Sequence, residues 1–207
     1  MSVSRQNDQA PAFAQKALSR FVGERYTARK KTITFAGNQY HIYGPAQELR
    51  FFVKQKLLTF KESLTIYSDE TMSRPLLKIQ ARSRIGFNAT YDISTPDGEP
   101  IGALKHDSIR NIVRDRWLIL SPTGTQIGLI EEDSTRLALY RRILLFMLPQ
   151  RFDVSVRGQK VAVFRQHFNL FVSKIDIDFS LDPQGLLDRR MGIAAVVLLL
   201  AIQHSRG

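Results

Sequence analysis

Residues Met191 to Ile202 read MGIAAVVLLLAI, preceded by Asp188-Arg189-Arg190 and followed by Gln203-His204-Ser205-Arg206. A helix of this composition is apolar on every side, so it must be buried in lipid or in protein. At about 1.5 Å per residue it is roughly 18 Å long. A bilayer core of about 30 Å usually takes some 20 apolar residues. Extending the run backward draws Asp188, Arg189 and Arg190 into hydrocarbon at about 2.5–3.5 kcal/mol each, and extending it forward meets the polar Gln203 to Arg206. Burial in protein costs less, because an antiparallel β-barrel has inward faces to fill and Gly192, Ala194 and Ala195 permit close backbone approach. The expectation is a chain that surrounds its own helix and is not an integral membrane protein.

The rest of the sequence supplies strands for such a wall. Short alternating segments separated by turn residues recur from Lys31 to Phe35, Gln39 to Tyr43, Arg50 to Lys56, Ser63 to Ser68, Leu76 to Arg82 and Asn88 to Ser94. They continue from Ile101 to Lys105, Trp117 to Leu120, Gln126 to Glu132, Phe152 to Arg157, Lys160 to Arg165 and Leu170 to Phe179. Thr95-Pro96-Asp97-Gly98-Glu99 and Ser121-Pro122-Thr123-Gly124 mark hairpins in which proline presets the turn and glycine accepts positive φ. Ala36-Gly37-Asn38 and Gly158-Gln159 mark two more. Helical patterns fall at Ser108 to Arg114 and Thr135 to Phe146. The expected fold is therefore mainly β: about twelve antiparallel strands in a closed barrel enclosing the C-terminal helix, with short peripheral helices.

With 207 residues, 43% of them hydrophobic, one large core suffices. Residues 1–25 form a polar segment with a short amphipathic helix, and residues 26–207 form the barrel. In Ala12 to Val22, Phe13, Ala17 and Phe21 recur four apart, the pattern of a helix that docks on its own domain. Met1 to Pro11 lack the apolar stretch of a secretory signal, and cysteine is absent, which excludes disulfides, thiolate metal sites and thiol catalysis. The expected location is cytoplasmic, with peripheral membrane association. A formal net charge of +11 and a pI near 10.2 favour an anionic partner. Much of the excess lies between Arg20 and Glu62, where Arg25, Arg29, Lys30, Lys31, Lys54 and Lys56 outnumber the acids.

The order of strands followed by a terminal apolar helix resembles the superfamily that unites the tubby C-terminal domain, the phospholipid scramblases and the LURP-one-related proteins. Three stretches carry the likeness. They are Ile101-Gly102-Ala103-Leu104-Lys105 with Trp117 to Leu120 and the Pro122-Thr123-Gly124 turn, then Ile127 to Glu132, then Asp176 to Asp182 running into the helix. The resemblance implies a twelve-stranded barrel threaded by the helix and binding of phosphoinositide or anionic membrane surfaces. Tubby domains use two basic residues in an I-G-K-L-R stretch; here Ala103 occupies the first basic place and Lys105 the second. Arg110, Arg114 and Arg116 follow closely and could rebuild a basic patch with Lys105 by point-charge contacts to phosphate. Scramblases carry a calcium segment beside the last helix. Asp176, Asp178, Ser180 and Asp182 alternate as such a loop requires, but Leu181 and Leu187 stand where glycine and a bidentate glutamate belong. The acids read instead as the outer face of a strand, with Asp182 meeting the dipole of the helix start.

No catalytic constellation emerges. His106-Asp107-Ser108 holds the residue types of a hydrolase triad, but neighbours in sequence do not converge in the nucleophile, base and orienter geometry. His41, His106, His167 and His204 show no paired metal-ligand spacing, and glycine motifs for nucleotides are absent. Arg50 to Lys56 mixes aromatics with cations as single-strand platforms do. Alternation, however, places Phe51 and Val53 on one side and Arg50, Phe52, Lys54 and Lys56 on the other, with a single aromatic among the cations, which disfavours nucleic acid. The expected function is a non-enzymatic domain without cofactor or metal that associates with an anionic membrane surface, phosphoinositide or phosphorylated ligand. A protein-interaction scaffold is the alternative and lipid translocation the third reading.

Overall fold

The computed structural model describes residues 15–33, 37–55, 63–82, 89–107, 116–133, 150–167 and 173–202. Twelve strands are present: β1 (Arg25–Ile33), β2 (Gly37–Tyr43), β3 (Leu49–Gln55), β4 (Ser63–Tyr67), β5 (Pro75–Ala81), β6 (Thr90–Ser94), β7 (Pro100–His106), β8 (Arg116–Leu120), β9 (Gln126–Glu132), β10 (Arg151–Val156), β11 (Gln159–His167) and β12 (Lys174–Asp178). Each pairs with its neighbours in sequence, and β1 pairs with β12 to close the barrel. The twelve expected strands are all found in order. β1 begins at Arg25 rather than Lys31, because Arg25 to Arg29 find their partners at the far end of the chain, from Arg25↔Asp178 to Arg29↔Lys174. The expected helices at Ser108 to Arg114 and Thr135 to Phe146 lie outside the described residues.

Alternation of strand direction gives the barrel two different mouths. At one, the short hairpin turns follow β2, β4, β6, β8 and β10. The turns after β6 and β8 are the same object: Gly98 N donates to Thr95 O (3.0 Å) and Gly124 N to Ser121 O (2.9 Å), each glycine at positive φ. A register shift precedes each of these turns, at Ile42/Tyr43, Ile66/Tyr67, Ile93/Ser94 and Ile119/Leu120 and, in the last hairpin, at Val154/Ser155. Such bulges raise local twist and help a sheet curl onto itself.

The helix α1 (Arg189–Ile202) starts at this short-turn mouth and runs toward the other. Every residue from Met191 to Ala201 is buried, which satisfies the all-round apolarity inside the ring of strands. Gly192 is required by contact rather than by conformation: a Cβ there would lie 2.6 Å from the Phe179 ring. Among the described residues no helix is long and apolar enough to cross a membrane. The helix start differs from expectation. Asp188 caps it, its Oδ1 accepting from Arg190 N at 2.9 Å. Asp182 is instead buried in the preceding loop, accepting from Leu186 N (2.8 Å) and Leu187 N (3.0 Å).

The short-turn mouth is closed. Residues 15–19 are helical, and the stretch that follows packs on the barrel. Phe21 packs on Phe51 at 4.6 Å between ring centres, and Arg20 donates to Arg50 O and Ser68 O. Phe179 adds a second plug against Tyr26 and Phe164. One strand-face assignment needs correction. Phe52 does not stand among exposed cations: it is buried on the outer wall, edge-on to the His41 ring at 5.1 Å.

Candidate anion-binding surface

The opposite mouth is where the connections after β1, β3, β5, β7, β9 and β11 leave the wall, and basic side chains gather at its rim. Lys31 lies near the end of β1, Lys54 near the end of β3 and Lys105 near the end of β7. All three point outward by strand alternation. Lys31 and Lys54 flank Gln39 through the registers Lys31↔Gln39 and Gln39↔Lys54. Strands spaced about 4.8 Å apart put the two backbone positions roughly 10 Å apart. Both are exposed, and Lys105 is half-buried between Thr90 and Leu118. None of the three takes part in an ion pair among the described residues. Arg29, below Lys31 on the same outer face, lies over the Tyr43 ring at 5.4 Å and donates to Gln47.

Of the basic patch expected around Lys105, the described residues include Lys105 and Arg116. Arg116 sits beside it on β8, but its Nε is 3.8 Å from Asp107 and 3.4 Å from Glu131, so its charge is answered locally. Arg110 and Arg114 lie outside the described residues. Ala103, at the first basic place of the tubby pattern, is fully buried on the outer face opposite Asp92 and Leu120. The acids of Asp176 to Asp182 are likewise engaged. Asp176 accepts from Thr27, Lys174 and His167, which together hold its carboxyl below the usual range against the opposing effect of burial. Asp178 accepts from Ser180 N and lies 3.7 Å from Arg25. Asp107 of the His106-Asp107-Ser108 run faces Arg116, while His106 turns inward and packs on Trp117 at 4.7 Å.

The profile of the LURP-one-related family matches residues 49–199, which takes in β3 to β12 and most of α1. This chain belongs to the LURP-one-related family. Comparison with the curated proteins gives no match. As a family member, it presents a closed barrel whose short-turn mouth is plugged by aromatic side chains and whose opposite rim carries lysines without an ion pair among the described residues.

Sequence reasoning registered the charge excess between Arg20 and Glu62 but centred its site on Lys105 and the arginines after it. Lys31 and Lys54 were visible as charges. What was missing was their placement at one mouth, which follows only once β1, β3 and β7 are known to run in the same direction.

Proposed function

We propose that this LURP-one-related domain is a non-enzymatic module that associates reversibly with anionic membrane surfaces through its lysine-rimmed mouth. The supporting observation is that Lys31, Lys54 and Lys105, unpaired among the described residues, stand on β1, β3 and β7 at the same end of the barrel. Cations spread around a rim suit a planar array of negative charge better than a linear polyanion, which calls for a stripe. Each contributes about 1 kcal/mol near an anionic leaflet, so three give weak, salt-sensitive attachment.

The test is co-sedimentation with phosphatidylcholine vesicles, with and without phosphatidylserine or a phosphoinositide. Binding to the anionic vesicles at low salt, weakening as salt rises, is expected. The K31Q/K54Q/K105Q variant should bind about 100-fold more weakly, at roughly 5-fold per lysine. R116Q should behave like wild type, because Asp107 and Glu131 already answer that charge. Absence of wild-type binding at low salt, or full binding by the triple variant, defeats the reading.

A further inference from the structure

Lys30 differs from every other cation of the described wall. Inward side chains on β1 alternate as Tyr26, Ala28 and Lys30, all buried, while Arg29 and Lys31 face outward. Lys30 is only 4% exposed, and its Nζ is buried with no hydrogen-bond partner among the described residues. It stands opposite Tyr40 on β2, three residues in from the end of β1, or about 10 Å deep at roughly 3.3 Å per residue. Nearby, the Tyr40 hydroxyl donates to Gln55 Oε1, and the Asn38 amide lies 3.5 Å from the same oxygen. The inner face is thus polar toward this mouth and apolar toward the plugged one, where Phe21, Phe51, Phe164 and Phe179 pack.

A buried ammonium has three N–H donors and needs acceptors, and leaving it without them costs more than any neutral group in the same place. Burial lowers the Lys30 amine to about 8, so at neutral pH it is still mostly protonated. The described wall offers it no carboxylate. Tyr40 is the titratable side chain opposite it on β2, and its hydroxyl is a donor already spent on Gln55. A group that brings negative charge and several acceptor oxygens would answer all three donors, and a phosphate fits that description better than a carboxylate.

We propose that the interior of the barrel at the lysine-rimmed mouth holds a phosphate-binding site in which the Lys30 ammonium is the anchor. This site is independent of surface attachment, since it uses the inward lysine and the rim uses outward ones. The phosphate could belong to a soluble molecule or to a lipid headgroup reaching into the mouth, and the two are separable.

Thermal unfolding is followed in inorganic phosphate, in a soluble inositol phosphate and in vesicles bearing a phosphoinositide, each against chloride at equal ionic strength. Wild type should gain about 3–5 °C for each tenfold excess of ligand over Kd. K30M, which keeps the alkyl chain and removes the charge, should fold and lose the gain; K30Q is the second variant should K30M fail to fold. R116Q, which removes a charge already answered by Asp107 and Glu131, should retain the gain. A gain with the soluble probes assigns a soluble ligand, and a gain with phosphoinositide vesicles alone assigns a lipid headgroup. A wild type that responds to no probe, or a gain that persists in folded K30M or K30Q, overturns the site.

Discussion

Lys30 ties a single side chain to a measurable pH dependence. Its amine titrates near 8 in the folded chain against 10.5 when free, so between those values the unfolded chain binds more protons than the folded one. Stability therefore rises with pH across that window. Below pH 8 the protonated amine is a destabilising burden of about 3 kcal/mol, from the size of the shift at about 1.36 kcal/mol per unit. Denaturant unfolding in buffer free of phosphate and sulfate should show wild type gaining stability from pH 8 to 10 and K30M flat over the same range. K30M should also exceed wild type at pH 7, as expected when an unpaired buried charge is replaced by an apolar isostere. Above pH 10 the trend should turn, since burial raises Tyr40 and the folded chain then keeps a proton that the unfolded chain releases. Lys30 was legible as a charge but not as an inward one. With β1 read from Lys31, alternation never reached it. Phe52 was misplaced for a related reason: alternation gives the face of a strand but not whether a neighbour such as His41 covers that face.

At the scale of the element, α1 is held by shape as much as by apolarity. Gly192 faces the Phe179 ring so closely that any Cβ would overlap it. That ring has little room to retreat, being fully buried, edge-on to Phe164 and Tyr26 and covered by Arg189 at 4.6 Å. Alanine in place of glycine usually favours a helix by about 1 kcal/mol, whereas overpacking a rigid core costs about 1–3 kcal/mol. The overlap is severe enough for the second effect to win. G192A should therefore destabilise the fold in denaturant titration, while alanine at the buried Val196 should act through the opposite mechanism, a cavity. A more stable G192A would show that Phe179 can move. The sequence pointed to Gly192 as a place of close approach; its partner, Phe179, was not legible, because the chain between them doubles back through the Asp182 loop. The hairpin turns after β6 and β8 were legible, since Thr95 to Glu99 and Ser121 to Gly124 use only local chemistry.

For the whole molecule, the helix is the core of the barrel rather than an appendage. Burying each of Met191, Ile193, Val196, Val197, Leu198, Leu199 and Leu200 contributes about 1.5–3 kcal/mol, a sum comparable with the 5–15 kcal/mol that holds a typical domain together. A chain ending at Arg189 should lose cooperative unfolding and bind a hydrophobic dye, and a cooperative transition in that truncation would show that the strands close without their centre. The two mouths divide the remaining work: one is plugged by Phe21 and Phe179, the other carries the lysine rim and the inward Lys30. That Met191 to Ile202 must be enclosed, and that alternating segments joined by turns would enclose it, is written along the chain, because hydrophobic period, length and turn chemistry are local properties. Where the wall closes became visible in the folded chain alone, since the pair of β1 and β12 joins residues about 150 positions apart. The same closure selected which cations share a mouth and turned one lysine inward.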